Sequence, residues 1–127
     1  MLSHTLRFHG HGGLRYLYRN GKTSRTRSFL LRFTPNQTRL HSRVTVIVSK
    51  KTMKSAARRN RMRRRVYEII RHEWDQLDHP FDLSVTIYSQ DVQIVPYEKL
   101  QHEIQQLLSQ AHLYKNDALH DKVEKTE

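Results

Sequence analysis

Charge is separated along this chain, and the separation limits how the chain can fold. Residues 1–65 contain 18 lysines and arginines and no aspartate or glutamate, whereas residues 66–127 contain 5 basic residues and all 12 acidic ones. The two parts therefore carry +18 and −7 within a net charge of +11. Because cations without nearby carboxylates repel one another, the fold must leave them on a surface where an external anion neutralises them.

Phosphate is the anion that this pattern favours. A polynucleotide that neutralises a cationic surface releases its counterions, and this release contributes affinity. Arginine is far more frequent than lysine in residues 1–65. Its planar guanidinium can donate two parallel hydrogen bonds to a phosphate or to the edge of a base. The sequence therefore predicts a nucleic acid as the partner.

Length and composition exclude several other classes of protein. A chain of 127 residues fits one domain, and its 0 cysteines rule out a disulfide framework and thiolate chemistry. Apolar runs such as Val46–Val48 are far shorter than the ~20 residues that cross a bilayer. Residues 1–20 also lack the apolar region of a signal peptide. We expect a cytoplasmic protein with no membrane partner.

Five segments have the patterns of secondary-structure elements. Residues 14–18 predict a short helical turn, which Gly21 ends. Residues 28–34 and 44–49 are rich in strand-forming side chains and predict a β-hairpin. Residues 81–88 alternate apolar and polar side chains, as a half-buried strand does. Pro96 then predicts the start of a helix with one apolar side, formed by Tyr97, Leu100, Ile104, Leu107 and Leu108.

A longer helix is predicted over residues 52–75, with Thr52 as its N-cap. Its apolar side chains follow helical spacing and indicate a face that packs on the core: Met62, Val66, Ile69, Ile70 and Trp74. The element order is then αββαβα. This order predicts an α+β single-domain sandwich of a small mixed sheet and helices over residues 14–113. Residues 1–13 and 114–127 are predicted to be a flexible arm and a flexible tail.

The most basic segment lies on this long helix. Nine of the sixteen residues from Lys50 to Arg65 are cationic and none is acidic. On a helical wheel Asn60, Arg64 and Tyr67 point away from the apolar face, and Arg61 and Arg63 flank them. The helix is therefore expected to pack by one side and to present arginines on the other.

The residues of this segment also carry a family resemblance. The sequence Val48-Ser49-Lys50-Lys51, followed by Ala56-Ala57-x-Arg59-Asn60-Arg61-x-Arg63-Arg64, resembles the arginine-rich signature of the bacterial ribonuclease P protein component. The resemblance implies a left-handed βαβ crossover. It also implies a monomer that binds the catalytic RNA of ribonuclease P in a 1:1 particle, through Lys50, Lys51, Arg59, Asn60, Arg61, Arg63, Arg64 and Arg65.

The same resemblance implies a cleft for the single-stranded 5′ leader of precursor tRNA. In this chain the cleft is expected to be lined by Leu14, Tyr18, Leu30 and Arg32. Leu14 and Arg32 occupy positions that are often aromatic in the family. Two further positions depart from the family pattern: Met53, where glycine is common, and Tyr67, where a further arginine is common. The second departure suggests that Arg65 takes over an RNA contact.

Protein-based hydrolysis of a phosphodiester generally needs clustered carboxylates for metals, or a positioned acid and base. The basic half has no carboxylate, and the His9–His11 pair lacks further ligands nearby. We therefore predict no catalytic and no metal-binding residues in the chain, and we expect the RNA to carry the chemistry. The family resemblance implies that magnesium is bound mainly by the RNA. The composition also leaves two alternatives open, a ribosomal or assembly-type RNA-binding protein and a self-sufficient nuclease.

Overall fold

A computed structural model describes residues 11–35, 42–78 and 80–115, with side chains from Arg15 onward. Three helices and four strands form the fold. In chain order they are α1 (His11–Asn20), β1 (Lys22–Arg25), β2 (Phe29–Pro35), β3 (Arg43–Val48), α2 (Ala56–Glu73), β4 (Phe81–Ile87) and α3 (Tyr97–Gln110). Single 3₁₀ turns follow α2 at Trp74–Gln76 and precede α3 at Gln90–Gln93. The predicted α+β class is confirmed.

The four strands form one mixed sheet in the order β1-β2-β4-β3. β2 pairs antiparallel with β1 and β4, whereas β3 pairs with β4 in parallel. The predicted hairpin between the strands at 28–34 and 44–49 is therefore wrong, because β4 lies between them. β4 takes this central position because it is buried on both faces, including its polar residues Asp82 and Ser84. The interpretation of β4 as a half-buried strand is wrong for the same reason.

β1 is a strand that the sequence analysis missed. Its residues, KTSR, include no apolar side chain, so no hydrophobic pattern marks it. The strand forms because it pairs with β2, from Lys22 opposite Phe33 to Arg25 opposite Leu30. Ser24 also donates from Oγ to the carbonyl of Leu107 on α3 at 3.0 Å. The element order is therefore αβββαβα rather than αββαβα.

The helices lie on both faces of the sheet. α2 and α3 cover one face, where Phe29, Leu31 and Val85 belong to the main hydrophobic core. α1 contacts β2 and β4, and its Leu17 is fully buried outside that core cluster. Since neighbouring residues of a strand point to opposite faces, Leu30 lies on the α1 side. The connection β3–α2–β4 joins parallel neighbours, and its left-handed sense stays a prediction.

The ends of the elements differ from those predicted. α2 begins at Ala56 because residues 49–53 form a separate turn, so Thr52 is not the N-cap. α1 already includes residues 11–13, which were assigned to the flexible arm. Tyr114 forms a β-bridge with Leu77, so the predicted tail begins as packed chain. Residues 1–10 and 116–127, the rest of the predicted arm and tail, lie outside the described residues.

Candidate nucleic-acid interface

A tight turn between β3 and α2 places two lysines at the entrance to the helix. The backbone N–H groups of Thr52 and Met53 both donate to the carbonyl of Ser49 at 3.1 Å. Lys50 and Lys51 lie within this turn and are exposed. The side chain of Met53 is buried in the main core, so this departure from the family pattern anchors the turn.

The first turn of α2 is capped and sterically open. Ser55 is the N-cap, and its Oγ accepts a hydrogen bond from the N–H of Arg58 at 3.3 Å. Ala56 and Ala57 follow and are exposed. Small side chains let a phosphate approach the helix N-terminus, whose partial positive charge favours anions.

Most polar side chains of residues 50–65 point into solvent. We call the exposed set the cationic face: Lys50, Lys51, Lys54, Arg58, Asn60, Arg61 and Arg64. The ion pairs found among the described residues join Arg43 to Asp82 and join Arg71 and His72 to Glu68. None of them involves a residue of the segment 50–65. Within the described chain, the cationic face therefore has no carboxylate as its counter-ion.

Asn60 gives the cationic face a neutral donor. Nη2 of the half-buried Arg63 donates a hydrogen bond to Oδ1 of Asn60, one turn earlier on the helix. This contact uses the amide oxygen of Asn60, whose NH₂ group can then donate to a ligand. Arg63 thus fixes the orientation of the amide in addition to supplying charge.

Two arginines of the segment contact the protein's own backbone. Nη1 of Arg59 donates to the carbonyls of Met53 and Lys54 at 2.8 and 2.9 Å. Arg65 donates from Nη1 to the carbonyl of Val92 at 2.7 Å, and from Nη2 to that of Val95 at 2.5 Å. Both arginines are half-buried. Their assignment as RNA contacts stays a prediction, and their geometry differs from that of the cationic face.

Tyr67 does not point outward, so its predicted orientation is wrong. The side chain is only 7% exposed and belongs to the main core. Its hydroxyl accepts a hydrogen bond from the N–H of Val46 at 3.0 Å. Val46 is on β3, an edge strand, where such an N–H has no neighbouring strand to pair with. The tyrosine therefore satisfies the sheet edge instead of extending the cationic face.

Beyond residue 65 the same helix neutralises its own charge. Arg71 donates to Glu68 at 2.5 Å, and this hydrogen bond holds the pKa of Glu68 down at about 2. Glu68 is therefore ionised throughout the neutral range, and it raises the pKa of Arg71 in turn. Glu73, one turn further on, is buried and accepts a hydrogen bond from the hydroxyl of Tyr114 at 2.7 Å.

The α1 side of the sheet carries an aromatic ring and a cation in contact. The guanidinium carbon of Arg32 lies 4.6 Å from the centroid of the Tyr18 ring, which is a cation–π distance. Tyr18 is 46% exposed, whereas Leu30 is only 4% exposed and therefore buried beneath the surface. The side chain of Leu14, also assigned to the leader cleft, lies outside the described side chains. We call the contacting pair the Tyr18–Arg32 stack.

Ser84 is a polar residue near this stack that the sequence analysis did not single out. It pairs with Arg32 in the β2–β4 register and is fully buried, and its Oγ has no hydrogen-bond partner among the described residues. In a strand that alternates apolar and polar residues, a serine is expected to face solvent. The sequence therefore gave no indication that Ser84 is buried.

The described residues contain no group of three or more histidine, cysteine, aspartate or glutamate side chains that could hold a metal ion. In the same ranges, no helix is long and apolar enough to cross a membrane.

Comparison with known proteins identifies the family. A family model described as ribonuclease P matches residues 2–112. The chain belongs to this family. It is 33% identical over 110 residues to the ribonuclease P protein component of Synechocystis sp., covering 87% of this chain and 88% of the relative. The Synechococcus elongatus ribonuclease P protein component is 38% identical over 74 residues, which are 56% of this chain and 61% of that one.

Solved structures of ribonuclease P proteins share the fold. The Staphylococcus aureus protein matches with a TM-score of 0.76 at 21% identity, covering 87% of this chain and 98% of its own. The Thermotoga maritima protein matches with a TM-score of 0.71 at 24% identity, covering 80% of this chain and 94% of its own. The chain is thus a protein subunit of ribonuclease P, the ribonucleoprotein enzyme of tRNA 5′ processing, and its partner is the ribonuclease P RNA.

Proposed function

We propose that this ribonuclease P subunit binds the catalytic RNA through the cationic face and the 5′ leader of precursor tRNA through the Tyr18–Arg32 stack. One observation carries the proposal: the cationic face has no carboxylate counter-ion within the described chain. Phosphates of a folded RNA supply the missing negative charge, and the release of their counterions favours the complex.

Residues of the cationic face have different roles in this proposal. Lys50 and Lys51 act as point charges beside the helix N-terminus, where phosphate is already favoured. Arg61 and Arg64 can each bind a phosphate or a base edge with two parallel hydrogen bonds. Asn60 adds the amide donors that Arg63 orients. The surface can therefore recognise RNA by geometry as well as by charge.

For the leader, the support is the chemistry of the Tyr18–Arg32 stack. The guanidinium carbon of Arg32 lies over the tyrosine ring. In this proposal one face of the planar guanidinium rests on the ring. The other face can take a nucleobase, which extends the stack by one member. Stacking tolerates any base and is worth about 1–3 kcal/mol per base. A leader of variable sequence suits such a contact.

The chemistry of cleavage belongs to the RNA in this proposal, and magnesium is bound mainly by the RNA. The protein lowers the repulsion between RNA phosphates and positions the leader, as one subunit in a 1:1 cytoplasmic particle. It also raises the affinity of the RNA for catalytic magnesium without supplying a ligand.

A rescue assay tests the proposal. The purified protein is added to ribonuclease P RNA at a magnesium concentration too low for the RNA alone, and 5′ leader removal from precursor tRNA is measured. We expect the protein to restore cleavage, and a variant with Arg61 and Arg64 both changed to alanine to restore much less. No rescue by the wild type would favour a structural RNA-binding role. Cleavage by RNA-free protein would establish a nuclease and contradict the division of labour.

A further inference from the structure

Arg59 and Arg65 differ from their neighbours in what their charges contact. Arg58 and Arg64, adjacent to them in sequence, are exposed and belong to the cationic face. Arg59 and Arg65 are half-buried, and each bridges two backbone carbonyls. In each adjacent pair, one arginine is open to solvent and the other contacts the protein's own backbone.

Arg65 joins α2 to the segment that leads into α3. Its two terminal nitrogens contact the carbonyls of Val92 and Val95, which flank the end of the second 3₁₀ turn. The side chain of Val92 is buried in the main core, so the segment is held from two sides. The guanidinium thus fixes the distance between the helix and this segment.

Arg59 makes the corresponding contact at the N-terminal end of the helix. Its Nη1 holds the carbonyls of Met53 and Lys54, the last part of the loop that carries Lys50 and Lys51. A single nitrogen thereby links the first turns of α2 to the loop ahead of it. The lysines and the helical arginines are kept on one continuous surface.

We propose that Arg59 and Arg65 are positioning residues: they hold the two loops that flank α2, and so fix the geometry of the cationic face without contacting RNA. The inference rests on the proposed function, because it presupposes that the cationic face binds RNA. The N–H groups that hold these four carbonyls cannot turn to a phosphate without giving up a charge-assisted hydrogen bond. Exposed neighbours can bind phosphate without that loss.

Charge-conserving variants separate positioning from contact. Arg59→Lys and Arg65→Lys retain the charge, but an ammonium cannot reproduce the planar fork of Arg65 or the reach of either side chain. Arg71→Lys is the matched control, because it lies on the same helix and contacts Glu68 rather than a loop. Arg64→Gln is the control for a lost RNA contact. Each is measured for RNA affinity, for its dependence on salt, and for amide hydrogen exchange in residues 49–55 and 90–97.

We expect Arg65→Lys to exchange faster in residues 90–97, and Arg59→Lys in residues 49–55. Both should bind ribonuclease P RNA about tenfold more weakly at a temperature where they are fully folded, as expected when about one charge-assisted contact is lost. Arg71→Lys should match the wild type in all three measurements. Arg64→Gln should weaken binding and lower the salt slope by about 0.9, with unchanged exchange.

Two results would overturn the inference. Faster exchange with wild-type affinity would make these arginines merely structural, and weaker binding with unchanged exchange would make them direct contacts. If one lysine variant does not fold, the other still tests the inference, because Arg59 and Arg65 hold different loops. Failure of the proposed function itself appears separately, as absence of rescue by the wild-type protein.

Discussion

Two surfaces of this molecule are suited to RNA, and they differ in chemistry. The cationic face concentrates six exposed lysines and arginines around one neutral amide. The Tyr18–Arg32 stack has one cation, and that cation already rests on an aromatic ring. The first surface suits the phosphate backbone, which all RNAs share, whereas the second suits unpaired bases.

In the proposed function, this difference in chemistry lets one small domain bind two RNAs at once. Phosphate contacts weaken steeply with salt, because each depends on counterion release. A base stacked on a guanidinium depends less on salt, because much of its binding energy comes from contact area. Salt dependence and leader dependence should therefore separate the two surfaces in one set of variants.

The largest expected effect is on the leader. We expect Tyr18→Ala to weaken binding of leader-bearing precursor tRNA to the holoenzyme by about 1–3 kcal/mol, the value of one stacked base. Binding of mature tRNA, which lacks the leader, should change little. The measurement is the ratio of the two dissociation constants, obtained at one salt concentration.

Tyr16→Ala is the matched control for that variant. Tyr16 lies on the same helix and is 58% exposed, but no cation of the described residues stacks on it. Tyr16→Ala should leave the ratio of the two dissociation constants unchanged. An equal loss with both tyrosines would mean that α1 as a whole, rather than the Tyr18–Arg32 stack, contacts the leader.

A smaller effect is expected on the cationic face. Arg61→Ala should lower the slope of log affinity against log salt by about 0.7–0.9, which corresponds to one phosphate. The loss should be equal for the RNA with and without bound precursor tRNA. Arg71→Ala removes the same charge from the same helix, but Glu68 already neutralises Arg71, so its slope should stay that of the wild type. Equal salt slopes for Arg61→Ala and Arg71→Ala would contradict the prediction that only the first half of α2 binds phosphate.

Patterns within one element were predictable from the sequence. The apolar stripe of α2 placed Met62, Val66 and Ile70 in the core, because helical spacing alone decides which side chains share a face. The same wheel predicted the exposure of Arg61 and Arg64 correctly and that of Tyr67 wrongly. The α+β class and the resemblance to ribonuclease P proteins came from these patterns and from the arginine-rich motif.

Features that depend on contacts between distant parts of the chain were not predictable. β1 exists because β2 pairs with it, and β4 separates β2 from β3 because it can be buried on both faces. Whether an arginine of α2 contacts solvent or a carbonyl depends on loops at residues 53–54 and 92–95. No spacing rule within residues 50–65 carries that information.

The smallest expected effect on RNA comes from Tyr67, which lies on the same helix but belongs to neither surface. Tyr67→Phe keeps the buried ring and removes the acceptor for the Val46 N–H at the sheet edge. We expect the free energy of unfolding to fall by about 0.5–1.5 kcal/mol, with RNA affinity and salt slope unchanged. Denaturant unfolding measures the free energy of unfolding, and a salt titration of RNA binding measures the affinity and the salt slope.

Tyr16→Phe is the control, because the hydroxyl of Tyr16 is on an exposed ring. It should change neither the free energy of unfolding nor the salt slope. A reduced salt slope in Tyr67→Phe would contradict this prediction. It would show that the buried hydroxyl of Tyr67 helps to shape the cationic face.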